Sequence, residues 1–432
     1  MPTHFLQQLE TLTAKIATCP LDSLARTAGF LRRRPKKITP ASFLLTACLF
    51  ALQNRGSLAG FAQLWALGHQ QTLSKQAVHK RCSAAAVRFL QAVLQGVLAS
   101  LIRPACLPSP LQGAFNRILL HDSTCLSLPQ KLIALFPGGT NQHHRPQAGL
   151  RLQATLDLLK NQWVAFHFHP YTVNDQKAAP EVLTTLQKGD LLIRDLGYLV
   201  LDVLQQIQQK GAYFLSRWRY GLNVFCAPTG DPMPLLARLQ QSGPLWEGQV
   251  WLGREKLPAR LIAVRLPEAV ANQRRRRARR HHDRRTKHCP EYFQLLNWNI
   301  LITNVPQSLL AASSLVELYT LRWRIEIVFK AWKSHFHLGQ LTDVSLPQLQ
   351  VVLLGKLIWI CWFSVHWTAL AAQGIKVSLL KLAQWWSKFA VLLCLPAQKL
   401  RPQTLWDHLT YYCSYDKRKD RRNFLEKCEI LS

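Results

Sequence analysis

Asp122, Asp195 and Glu326 are the residues whose types and settings point to chemistry. Asp122 closes a short apolar run, Asn116 to Thr124 (NRILLHDST), and Asp195 closes a second within DLLIRDLGY at 190–198. Both runs read as strands that deliver a carboxylate at their ends. Glu326 lies in a helical stretch, Ser314–Lys333. If the two strands are neighbours, three carboxylates can converge, and hard oxygen donors of this kind suit magnesium or manganese. Two such ions can activate a water and stabilise the leaving oxygen of a phosphodiester. Ordinary strand-end aspartates and a salt-bridged surface helix fit the same spacing, so this alternative stays open at this point.

The segment around Glu326 adds weight. It reads LYTLRWRIEIVFKAWK, and Tyr319, Arg322, Glu326, Lys330 and Lys333 recur at three- and four-residue steps. On one continuous helix they form a polar stripe, while Ile325, Val328, Phe329 and Trp332 form a face that can be buried. A carboxylate flanked by phosphate-binding cations is what a nuclease needs.

Tyr319-x2-Arg322-x3-Glu326-x6-Lys333 resembles the Y-R-E-K signature of bacterial insertion-sequence DDE transposases of the insertion-sequence-four family. HDST at 121–124 and RDLGY at 194–198 look like that family's two Asp motifs. WNILITNVP at 298–306 resembles the strand leading into the signature helix, and YDKRKDRRNFLEK looks like its C-terminal segment. The resemblance is strongest from 114 to 337. It implies an α/β fold with a ribonuclease H-like catalytic core and a β-rich insertion between the second Asp and the Glu. It implies that Asp122, Asp195 and Glu326 bind two Mg2+ (or Mn2+) ions, and that Tyr319, Arg322 and Lys333 contact DNA. Trp298 matches a position where some relatives stack a flipped base, although a packed core aromatic suits it equally. The implied activity is cleavage at terminal inverted repeats and strand transfer to target DNA, by a homodimer across paired ends, with release of the element through a hairpin as one route.

The elements that must position these residues follow from the periodicity. The first hundred residues are helical: Ser57 caps SLAGFAQLWALG, which Gly68 ends, and Ser74 caps SKQAVHKRC. This outline fits a helix-turn-helix unit with Lys80 and Arg81 on its basic helix, or simply two packed helices. Strand character begins near 114, with a hairpin at Lys160-Asn161 and a helical segment from Ala179 to Gln187. The expected layout is a helical DNA-binding domain (1–110), a catalytic core (111–212 and 304–345), a β-rich insertion (213–303) and a helical C-terminal region (346–432).

The chain of 432 residues has 54 Lys and Arg against 23 Asp and Glu, a net of +31, which calls for a polyanionic partner. Much of the excess sits in three runs: LRRRPKK at 31–37, RRRRARRHHDRRTK at 274–287 and DKRKDRR at 416–422. Phosphate contact explains three such runs better than three solvated loops. Eleven scattered cysteines without a C-x-x-C pair fit reduced thiols, and the N-terminal stretch lacks a signal-peptide core. A cytoplasmic, nucleoid-associated location follows as an expectation. Val351 to Ala372 is apolar enough to suggest a membrane span, but Lys356 and His366 interrupt it, which favours a buried core helix and no membrane. No Walker or Rossmann glycine motif is present, and the histidine pairs have no zinc-site spacing. Rival readings are a metal-dependent nuclease without strand transfer, a DNA-binding protein derived from a transposase, and a membrane-anchored basic protein.

Overall fold

The computed structural model describes residues 20–50, 52, 57–100, 111, 113–140, 142–280, 289–340, 345–393, 402–416 and 422–430. Most of the basic run at 416–422, and the second half of the arginine-rich run from 281 to 287, therefore lie outside the described residues.

Five helices open the described chain: α1 (Leu21–Thr27), α2 (Pro40–Phe50), α3 (Leu58–His69), α4 (Lys75–Arg81) and α5 (Ala84–Ser100). Strands β1 (Ile118–Ser127), β2 (Pro137–Thr140), β3 (Pro146–Asp157), β4 (Gln162–Pro170) and β5 (Leu191–Arg194) follow. Then come α6 (Leu201–Gln209), β6 (Tyr213–Arg217), β7 (Val224–Phe225), α7 (Leu235–Gln240), β8 (Leu245–Leu252) and β9 (Leu257–Arg265). Next are α8 (Glu268–Arg280), α9 (Pro290–Leu295), β10 (Trp298–Thr303), α10 (Ala312–Thr320) and α11 (Trp323–His335). Four helices close the chain: α12 (Leu346–Ala372), α13 (Leu379–Leu393), α14 (Pro402–Tyr412) and α15 (Phe424–Ile430). The architecture is mixed α/β around a mixed sheet.

Contacts divide the chain into two compact units. One comprises residues 1–108, 123–173 and 324–428, so the N-terminal helices group with the second half of β1, the hairpin and the C-terminal helices. In this unit β3 carries β2 and β4 along one edge and β1 along the other. The β3–β4 hairpin turns where expected. Asp157 Oδ1 accepts from the backbone N–H groups of Leu159 and Lys160, and Asn161 takes the left-handed conformation with φ 46°.

Helix α12 is the spine of this unit. It is long and apolar enough to cross a membrane by composition alone, but 72% of its most apolar window is buried in protein. A Cβ at Gly355 would stand 2.6 Å from the Ala47 carbonyl oxygen, so glycine is what lets α12 approach α2. Beside it, Trp163 and Trp332 pack with centroids 4.6 Å apart, and the Trp163 indole donates to Ser364 Oγ at 3.0 Å.

The early helix pair forms as its caps foretell. Ser57 Oγ accepts from Gly60 N and Ser74 Oγ accepts from Ala77 N. The expected stop at Gly68 is corrected: α3 runs on to His69 and ends at Gln70, whose φ of 52° makes the left-handed cap. The helical segment expected at Ala179 to Gln187 is a 3-10 stretch, Ala179–Thr184, entered from a short helical turn, Asp175–Ala178.

The other unit holds residues 109–122, 174–323 and 429–432. Its sheet runs β1-β5-β6-β10-β9-β8-β7. Strands β1, β5 and β6 are parallel, and β10, β9 and β8 continue antiparallel. Asp190 fixes the start of β5: its buried carboxylate takes two bonds from Arg117, at 3.0 and 2.5 Å, and accepts from Gln187 N. The stretch from 213 to 303 is not β throughout, because the arginine-rich run is helical from Glu268 to Arg280.

Candidate active site

Strand register decides where the aspartates lie. Strands β1 and β5 are hydrogen-bonded neighbours, and the last registered pair is His121 with Arg194. Asp122 and Asp195 are the next residue on each strand, so they stand level at the end of that pairing. Asp195 leaves β5 directly into a 3-10 turn, Leu196–Tyr198. Asp122 does not end its strand, contrary to the sequence reading: β1 continues to Ser127, and only its partnership with β5 stops at His121. Alternation along β1 sends the neighbouring His121 to the other face, where its ring is buried 4.8 Å from Tyr198.

The row extends one strand further. Ile193 pairs with Leu215, so Arg217 at the end of β6 stands level with Asp195. Nothing in the sequence marks Arg217 until the parallel register is known.

Tyr319 and Arg322 join this group from the far end of the unit. The Tyr319 hydroxyl donates to the Arg194 carbonyl at 3.4 Å. Burial, with the Asp195 charge adding to it and Arg322 and Arg217 opposing, pushes the Tyr319 phenol up to about 12, so it stays a proton donor. Arg322 Nη1 lies 3.5 Å from Asp122 Oδ2, with both side chains largely covered. Its guanidinium also sits 5.2 Å from the ring of Trp323, an aromatic that is 59% exposed and that the sequence does not mark.

The single helix expected from Ser314 to Lys333 is corrected to two. Helix α10 ends at Thr320, and i to i−3 bonds from Leu321 N and Arg322 N make a tight turn before α11 begins. The polar stripe is therefore broken. Tyr319, at the end of α10, and Arg322, in the turn, are buried, whereas Glu326, Lys330 and Lys333 follow on α11. Glu326 is half-buried in the first turn of α11, where the helix dipole favours a carboxylate. Lys330 and Lys333 are exposed.

Glu326 and the two lysines belong to the first compact unit and the aspartates to the second. In the first unit, Arg324 secures the start of α11. Its buried guanidinium lies between the rings of Trp367 and Phe424, 4.0 and 4.1 Å from their centroids. Burial, against smaller opposing influences from Tyr415 and Cys428, pulls its pKa down to about 10, so it remains a cation.

Trp298 is a core residue of β10, only 6% exposed, and its carbonyl accepts from Arg274. Lys80 is exposed on α4. Arg81 donates to the Phe30 carbonyl at 3.1 Å and lies 5.0 Å from that ring, so it ties α4 down rather than standing clear.

Among the described residues, no three His, Cys, Asp or Glu side chains gather closely enough to hold a metal ion. The donor chemistry of the aspartate pair nevertheless fits a hard divalent cation. Two carboxylates stand level on adjacent strands, and the charge that the structure places against one of them is the guanidinium of Arg322.

Known proteins similar to this chain show its family. Residues 113–362 match the family described as Transposase DDE domain. The transposase for insertion sequence element IS231F of Bacillus thuringiensis subsp. israelensis is 31% identical over 365 residues, covering 78% of this chain and 75% of that protein. The IS231D transposase of Bacillus thuringiensis subsp. finitimus is 29% identical over 362 residues, covering 78% and 75%. The IS1151 transposase of Clostridium perfringens is 25% identical over 366 residues, covering 78% and 76%. The chain belongs to the DDE transposases of insertion sequences. It is an enzyme of DNA transposition, from a family that uses divalent metal ions.

Proposed function

We propose that this protein cleaves DNA at the terminal inverted repeats of its own insertion sequence and transfers the freed 3′ ends to target DNA. The carrying observation is the level placement of Asp122 and Asp195 on neighbouring parallel strands, with Arg322 against the first and Tyr319 beside the second. The reading assigns a ribonuclease H-like core to 111–212 and 304–345. It assigns DNA binding to the helical region 1–110, with Lys80 reaching DNA, and treats 213–303 as an insertion and 346–432 as a helical support.

In this reading Asp122, Asp195 and Glu326 hold two magnesium (or manganese) ions. When bound, the ions supply an activated water and neutralise charge on the phosphodiester. Arg322, Arg217, Lys330 and Lys333 hold the phosphate and oppose the charge that develops as the bond breaks. Tyr319 donates a hydrogen bond from a phenol that stays protonated. A flipped base would stack on Trp298 only if the core of β10 opened at that ring. The enzyme acts as a homodimer on paired ends, in the cytoplasm and on the nucleoid. Support for these points comes from the signature residues and from the family membership.

The test is incubation of purified protein and magnesium with labelled duplex carrying the element's terminal repeats and a target plasmid. Nicking at the repeat boundary followed by joined product supports the proposal. Nicking without joining supports a nuclease instead, and intact DNA overturns both.

A further inference from the structure

The arginine-rich run is the largest charge feature that the site does not use. Over its described part it is helix α8, Glu268–Arg280 (EAVANQRRRRARR). One side of this helix is docked. Ala271 is buried, and Arg274 donates to the Trp298 carbonyl at 3.1 Å. Arg275 is bonded to Glu268, Asn272 and Asn297. Burial, reinforced by Arg217, holds the Arg274 guanidinium below the usual arginine range.

Helical geometry then dictates what the opposite side carries. At 100° per residue, Ala271, Arg274, Arg275 and Ala278 share the docked face, and Arg276 and Arg280 centre the other, flanked by Arg277 and Arg279. All four of these arginines are exposed. Arg279 rests 5.6 Å from the Phe293 ring. The only acid on the helix, Glu268, is already engaged by Arg275. Cations at i and i+4 repel, so this face is destabilising by itself and calls for an external polyanion.

We propose that the outer face of α8, through Arg276, Arg277 and Arg280, is a second DNA surface that grips the phosphate backbone of duplex without reading its sequence. The docked arginines hold the helix, and the exposed ones meet the polyanion. This rests on the transposase reading for the choice of DNA over an acidic protein.

The test uses the full chain and its Arg276→Ser/Arg277→Ser/Arg280→Ser variant, with folding checked by circular dichroism. Affinity is measured against salt concentration for a terminal-repeat duplex and an unrelated duplex of equal length. Each lost phosphate contact flattens the log–log salt slope by roughly 0.9. The expected result is a slope reduced by about 2–3, an equal fold-loss for both duplexes, and recovery in the triple Lys variant. An unchanged slope, or a loss confined to the repeat duplex, overturns the proposal. So does competition by polyglutamate as effective as that by DNA, which would assign the face to an acidic protein. Cleavage of repeat DNA by the wild-type chain is scored in parallel. Cleavage with an unchanged slope sinks this inference alone, whereas absence of cleavage sinks the transposase reading.

Discussion

Arg322 brings its guanidinium to 3.5 Å from the carboxylate of Asp122, joining positions 200 residues apart in the chain. A pair between exposed groups would be worth well under about 1 kcal/mol. This one is largely covered and stands beside Asp195 and Tyr319. If the cation serves the phosphate, Arg322→Ala retains its fold but loses about 100-fold in single-turnover cleavage or strand transfer. Lys333→Ala is expected to bind or process DNA less well in the same assay. Wild-type rates for both variants would leave the signature without a chemical role.

Arg324 tests how firmly α11 must be held. Its planar guanidinium stacks between Trp367 and Phe424, a geometry that an ammonium reproduces poorly. Arg324→Lys is expected to lose roughly 2 kcal/mol or more, the scale of a desolvated cation–π contact. Urea unfolding reads this directly, and an unmoved midpoint would mean that the rings contribute no such contact.

Arg117 and Asp190 make a separate case, because Asp190 is fully buried. Removing Arg117 alone leaves an uncompensated carboxylate at the start of β5, at a cost of about 3–5 kcal/mol. Arg117→Met/Asp190→Leu together should cost clearly less than Arg117→Ala. Comparable unfolding midpoints for the two would show that the pair's burial carries no such penalty.

Lys356 gives a pH dependence. It is buried in α12, donates to the Phe336 carbonyl at 3.1 Å, and burial lowers its pKa from 10.5 to about 7. The unfolded chain therefore binds more protons than the folded one between pH 7 and 10.5, so this group makes stability rise with pH across that window. The penalty for charging it is complete below pH 7 and relieved toward 10.5. Its contribution to the slope approaches roughly 1.4 kcal/mol per pH unit. Lys356→Met should remove that rise in a series of unfolding curves from pH 6 to 10. A variant with the wild-type slope would show that Lys356 is charged in the folded state.

Much of the site was legible because strands announce themselves by apolar runs, and Asp122 and Asp195 each follow one. Ser57 and Ser74 marked their helix starts for the same local reason, the orphan N–H groups they accept. What was hidden depends on tertiary pairing. Helical periodicity runs unbroken through Leu321 and Arg322, so nothing local signalled the turn that separates Tyr319 from Glu326. Arg217 gains meaning only when β5 and β6 are aligned. In α8, arginines on every side mask the short apolar face of Ala271 and Ala278, so no helical period shows within the expected β-rich insertion.

Magnesium-dependent cleavage of terminal-repeat DNA by Asp122→Asn, Asp195→Asn and Glu326→Gln tests whether the three carboxylates act as one unit. Each variant is near-isosteric and removes one charge. All three should bind the repeat duplex with close to wild-type affinity and yield no nicked or joined product, each loss being as complete as the others. Cleavage by any one of them at a rate near the wild type would contradict their acting as one unit.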